Sequence, residues 1–236
     1  MKITKQINFQ DVEGLSRALK AARISKERFS LEIPVKDCAN GIYAAMKAEV
    51  EERGQTGPFN FDADTRTHIL ATAEWLTNPK ATPGLLLCGL YGNGKTTLAK
   101  AIARLVGHIT TLEVGYSHRT SMRLYTAKNI CRLCAASEKF KEQHDEYENL
   151  FKEPMLIIDE LGEEPTEVMV FGMLHTPLID LISERYAAQR MTIVTTNLQT
   201  DELKAKYGER IYERFIEMLT PIVFQNDSYR LRKNAH

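Results

Sequence analysis

The chain has 236 residues, 43% hydrophobic and 26% charged, enough to bury one sizeable core with a small appendage. Lysine plus arginine equals aspartate plus glutamate at 31 each, so bulk charge pulls it toward neither nucleic acid nor membrane. Runs such as GLLLCGL are too short to cross a bilayer, and MKITKQINFQ lacks the apolar stretch of an export signal, so the expected location is the cytoplasm.

In chain order, DVEGLSRALKAARI and CANGIYAAMKAEVEERG predict two helices, the first capped by Asp11 and the second stopping near Gly54. The turn-rich GQTGPFN beyond them marks a boundary between a helical N-terminal segment, 1–58, and a larger domain, 59–236. The N-terminal segment is either a small adaptor or packs on the larger domain. DADTRTHILATAEWLTNP predicts a capped helix ending before Pro79, and GLLLCG a short buried strand. KTTLAKAIARLVG predicts a helix stopping at Gly107, RLYTA a strand, and AKNICRLCAASEKFKEQHDEYENLF one long helix. PMLIIDELG and MTIVTTNL predict two more strands, with EVMVFGMLHTPLIDLISERYAAQ helical between them and irregular at Pro177. TDELKAKYGERIYERFIEML closes with further helix. Near-continuous apolar strands alternating with helices point to an α/β fold, a parallel sheet covered on both faces in three layers.

Within this pattern GLYGNGKT, Gly89 to Thr96, fits G-x-x-x-x-G-K-[ST] between a buried strand and a helix, the context that the phosphate loop requires. Without Cβ atoms, Gly89, Gly92 and Gly94 let backbone N–H groups curl around phosphate oxygens, with Tyr91, Asn93 and Thr97 completing the cradle. The helix start adds partial positive charge. Lys95 reaches the terminal phosphates, and the Thr96 hydroxyl is placed for Mg²⁺. The expected ligands are ATP and Mg²⁺.

About 60 residues later LIIDEL ends a buried strand on an acid pair. Asp159 is the candidate Mg²⁺ partner, and Glu160 the candidate base for the attacking water. IVTTN ends a third strand at Asn197, whose amide is a candidate for positioning that water. An ordinary strand-to-turn transition would also favour Thr and Asn there.

The order of phosphate loop, acid pair and strand-end Asn resembles the AAA+ ATPases. YGERIYERF (207–215) and DSYRLR (227–232) narrow the resemblance to the DnaC/IstB family, bacterial ATPases that load the replicative helicase or assist a transposase. The resemblance spans roughly 61–232 in motif terms. It implies an AAA+ fold, a sensor-1 role for Asn197, an arginine finger at Arg214 offered to a neighbouring subunit, and a sensor-2 arginine at Arg230. Arg210 is the alternative finger. Without the resemblance, either arginine reads as a solvated helix charge paired with Glu209, Glu213 or Glu217. The implied partners are a replicative helicase or a transposase, single-stranded DNA, and further copies of the chain.

A candidate DNA surface lies in 119–141, where Lys128, Arg132 and Lys139 would fall on one side of a continuous helix, opposite Ile130, Leu133, Cys134 and Phe140. An ordinary solvated face carries the same pattern. Cys131 and Cys134 form a lone CxxC without a second pair, which reads as core packing and not zinc. The six histidines are scattered and suggest no metal site. A non-hydrolysing scaffold is disfavoured by Glu160 and Arg214, and a small-molecule kinase by Asn197 and the lack of a lid.

Overall fold

The computed structural model describes residues 10–22, 28–54, 59, 61–114 and 122–229. Helix α1 is Val12–Ala22, and Asp11 caps it through the Gly14 N–H at 2.8 Å. Helix α2 is Val35–Glu52, followed by Gly54 at φ 71. Helix α3 is Ala63–Thr77, capped where the Asp62 carboxylate accepts from the Thr65 N–H. Strand β1 is Gly84–Gly89, and helix α4 is Lys95–Val114. Gly107 therefore does not end α4 as expected. It stays right-handed, and buried Ile102, Val106 and Thr110 carry the packed face past it. Packing of this kind overrides a propensity cost of about 1 kcal/mol.

Strand β2 is Arg123–Thr126, helix α5 is Ala127–Ala136 and helix α6 is Lys141–Lys152. The single long helix expected across this stretch is thus two. The Ser137 hydroxyl donates to the Cys134 carbonyl at 2.6 Å, and the Lys139 and Phe140 N–H groups both converge on the Ala136 carbonyl. The break lets α6 fold back on α5, so that Leu150 shares a core with Ile130 and Cys131. Phe140, expected on the apolar side, is 57% exposed in the turn.

Strand β3 is Met155–Leu161. The segment after it, expected to be helical, instead forms an antiparallel hairpin of β4, Val168–Val170, and β5, Met173–His175. Its turn residues Phe171 and Gly172 both have positive φ, 50° and 76°, the backbone that two-residue hairpins demand. Helix α7, Pro177–Ala187, begins with its proline at the first turn, where a missing N–H costs nothing. Strand β6 is Met191–Thr196. Helices α8, Thr200–Tyr207, and α9, Glu209–Met218, are separated by Gly208 at φ 83.

A final strand, β7, Leu219–Phe224, had no sequence expectation. It lies at the sheet edge, where Pro221 needs no N–H partner on the open side. The sheet order is β2-β3-β6-β1-β7, with every pairing parallel.

Alternation along the strands divides the core between the two faces. Leu85, Leu87, Ile157 and Ile193 join α2, α3 and α4 on one face; Leu156, Ile158 and Val194 join α5, α7 and α9 on the other. Gly41 of α2 meets Leu105 of α4 so closely that an added Cβ would lie 2.9 Å from its Cδ1. Arg185 is fully buried at the N-terminal edge of the sheet, bonded to the Thr192 hydroxyl and to the carbonyls of Glu153 and Met191. No helix among the described residues is long and apolar enough to cross a membrane.

Candidate active site

The glycine loop leaves β1 at the C-terminal edge of the sheet, where open α/β folds place their ligands. Gly89 has φ 143, and an added Cβ would lie 2.3 Å from the Phe224 carbonyl oxygen on β7. Gly92 and Gly94 also have positive φ, 76° and 103°. The first intrahelical bond of α4 runs from the Leu98 N–H to the Gly94 carbonyl, so the amides of Lys95 to Thr97 precede the helical ladder. Asn93 is buried and braces the loop by donating to the Phe224 carbonyl at 3.2 Å.

Lys95 is folded into this loop. Its ammonium donates to the Gly89 and Leu90 carbonyls, each at 2.6 Å, and to Asn93 Oδ1 at 3.0 Å. Burial lowers its pKa from the ordinary lysine value to about 8, with Cys88 and Asp159 opposing the shift. A cation this desolvated gains strongly from anionic oxygens.

The Thr96 hydroxyl donates to Asp159 Oδ1 at 2.9 Å, across the gap between α4 and β3. Thr195 on β6 donates to the same oxygen at 2.6 Å and accepts from the Glu160 N–H at 2.9 Å. Glu160 is exposed and has φ 57, unusual for a non-glycine residue and frequent where function holds the backbone under strain. The β3–β6 register shifts between Ile158 and Leu161 around it. A hydroxyl beside a carboxylate oxygen is the donor set that Mg²⁺ accepts, so Thr96 and Asp159 fit that ion.

Asn197 follows β6 directly, with its amide beside the Tyr91 hydroxyl. Tyr91 donates to Glu163 Oε1 at 2.8 Å, and Lys128 of α5 pairs with Glu163 Oε2 at 3.3 Å. Those two donors, Tyr91 first, hold the Glu163 carboxyl below the usual glutamate range. The loop after Glu160 is clamped from α8. Lys206 donates to the Gly162 and Glu164 carbonyls at 2.6 Å, and the Tyr207 hydroxyl donates to the buried Glu164.

The structure brings Gly89, Tyr91, Gly92, Asn93, Gly94, Lys95, Thr96, Thr97, Asp159, Glu160 and Asn197 to one end of the sheet. Arg214 is elsewhere. It donates to the Ser183 hydroxyl and lies over the Tyr186 ring, both on α7, whose C-terminal end leads into the opposite edge of the sheet. Arg210, earlier on the same helix, is exposed. Arg230 lies outside the described residues. The expected basic stripe is shorter than the sequence suggested: Lys128 and Arg132 are exposed on α5, but Lys139 falls in the turn beyond its end. Thr195, Glu163 and Glu164 were missed by sequence reasoning. The hydroxyl pair inside the apolar strand IVTT was the available signal for Thr195.

The family model for IstB-like ATP binding protein matches residues 45–236, from the last part of α2 to the end of the chain. The chain belongs to this IstB-like family. Solved structures share the AAA+ fold. One titled as the DnaC helicase loader is 23% identical, with TM-score 0.55, covering 71% of this chain and 93% of its own. One titled DnaI is 19% identical, with TM-score 0.54, covering 83% and 96% respectively. DnaA from Aquifex aeolicus, solved with AMPPCP, is 17% identical with TM-score 0.50, covering 74% and 51%. A search of curated protein sequences gave no match. The glycine loop and the Thr96–Asp159 pair both lie within the residues that the family model matches.

Proposed function

We propose that this IstB-like protein is a self-assembling ATPase that loads a replicative helicase onto single-stranded DNA, with ATP bound between subunits. The observation that carries this reading is the split between two groups of residues. The phosphate loop, Thr96, Asp159, Glu160 and Asn197 share one edge of the sheet, while Arg214 is held on α7 toward the other. In this reading Arg214 serves a neighbour's triphosphate and not its own.

In this reading Lys95 leaves its loop carbonyls for the terminal phosphates. Thr96 and Asp159 hold Mg²⁺, which neutralises phosphate charge when bound. Glu160 takes a proton from the attacking water, and Asn197 fixes its position. Arg214 from the next subunit stabilises charge developing on the transferred group, so hydrolysis waits on assembly. The N-terminal segment, 1–58, binds the partner, and Lys128 and Arg132 meet the DNA backbone.

A second reading keeps this chemistry and makes the partner a transposase. The family match favours it, since the matching model is that of the IstB-like proteins. The test uses the full chain as Glu160→Gln, which should hold ATP without turnover. It is mixed with the purified replicative helicase or the transposase of the same cell, and complexes are sized by light scattering. An ATP-dependent complex with the helicase supports the loader. A complex with the transposase alone replaces it by the second reading, and failure to self-associate with ATP overturns both.

A further inference from the structure

We propose that Arg53, at the end of α2, is a nucleotide-binding residue that grips the α-phosphate of ATP beside Thr97. The inference rests on the reading of the glycine loop as a phosphate cradle. Arg53 is the C-cap of α2, and its Nη1 donates to the Thr97 hydroxyl at 3.0 Å. Thr97 is in the first turn of α4, one residue beyond Thr96, which bonds Asp159. Backbone N–H groups of such loops cradle the α- and β-phosphates, and Thr97 is in the helical turn that completes that cradle.

The guanidinium is only loosely neutralised. Its carboxylate neighbour, Glu49, is 3.9 Å away and is also drawn by Arg104 at 3.3 Å. Glu52 is taken by Arg104 at 2.6 Å. The Arg53 side chain keeps 40% of its surface in contact with solvent, so the guanidinium is accessible to a ligand. Arginine presents several donors in a rigid fork, so one can stay on Thr97 while others meet a phosphate. The helix that carries it belongs to the N-terminal segment, which gives that segment a direct contact with bound nucleotide.

The experiment is calorimetric titration of the full chain and Arg53→Gln with ATP and with ADP. Arg53→Gln should weaken both by the same factor, roughly tenfold, the worth of one hydrogen bond to a charged group. Arg53→Lys should recover part of the loss. Unchanged affinity in the variant overturns the proposal, and so does a loss confined to ATP, which would place the arginine on the terminal phosphate. Glu49→Gln guards against a docking effect: it frees the guanidinium, and affinity should hold or rise. A loss equal to that of Arg53→Gln would show that α2 docking matters and not the arginine, again overturning it. If the unaltered chain binds neither nucleotide, the cradle reading itself falls, and this inference with it.

Discussion

Thr195 and Asp159, on neighbouring strands, are joined by a 2.6 Å hydrogen bond, and the Thr195 hydroxyl also receives the Glu160 N–H. One hydroxyl thus aims the candidate ion-holding carboxylate and pins the strained residue beside it. Thr195→Val keeps shape and removes both bonds. The expected result is a folded chain whose apparent Mg²⁺ affinity falls by about tenfold or more, the usual cost of losing a residue behind a metal ligand. Mg²⁺ titration of ATP binding, alongside thermal melting, checks it.

Lys95 supplies a pH prediction. Burial lowers the free-protein pKa to about 8, and a triphosphate would raise it, because it favours the ammonium. Above pH 8 the free lysine is mostly neutral and the bound lysine charged, so ATP binding should take up a proton. Affinity should fall as pH rises through that value. Calorimetry in buffers of different ionisation enthalpy measures the uptake, which Lys95→Arg should abolish. Lys95→Ala should lose ATP binding altogether.

Glu160→Gln should retain ATP and slow its hydrolysis by roughly a hundredfold or more, the range of a lost general base. Arg214→Ala should also slow hydrolysis while leaving ATP affinity near that of the unaltered chain. Mixed with Lys95→Ala, it should regain activity, because mixed interfaces pair an intact cradle with an intact arginine. A mixture no faster than its parts would rule out donation between subunits.

Gly89→Ala should be damaging for a steric reason. The new methyl carbon would sit 2.3 Å from the Phe224 carbonyl at φ 143, forcing β1 and β7 apart. A loss of stability of more than about 2 kcal/mol is expected from strain of this kind. Chemical denaturation of the purified variant measures it, or its failure to accumulate shows the same.

Charge reversal at Lys128 and Arg132 should weaken retention on single-stranded DNA and flatten its salt dependence by about one unit per lost phosphate contact. Reversal at Lys139, off the helix, should matter less. Equal, unchanged retention in all variants would leave α5 as a solvated surface.

The parts of the site that were legible in the sequence are local. Gly89 to Thr96 and Ile157 to Glu160 each lie within one strand end and its turn, so pattern and chemistry coincide there. Features set by distant partners were harder to read. LTPIVF becomes a strand only by pairing with β1, and its proline argues against that unless the edge position is known. VMVFGMLH has apolar residues dense enough to mimic a helix, and only the Phe171–Gly172 turn betrays the hairpin. Ser137 ends α5 because α6 needs the same core, a tertiary demand that helix propensity does not encode. Thr195 looks like any β-branched strand residue until β3 is set beside it.

The close seat of Gly41 on Leu105, together with the Arg104 ion pairs to Glu49 and Glu52, fastens α2 along much of α4. The two helices are thereby braced as one rod, with the glycine loop and Arg53 at one end and the start of α2 at the other. A push on the start of α2 would then be carried along α4 toward the glycine loop, as through a lever.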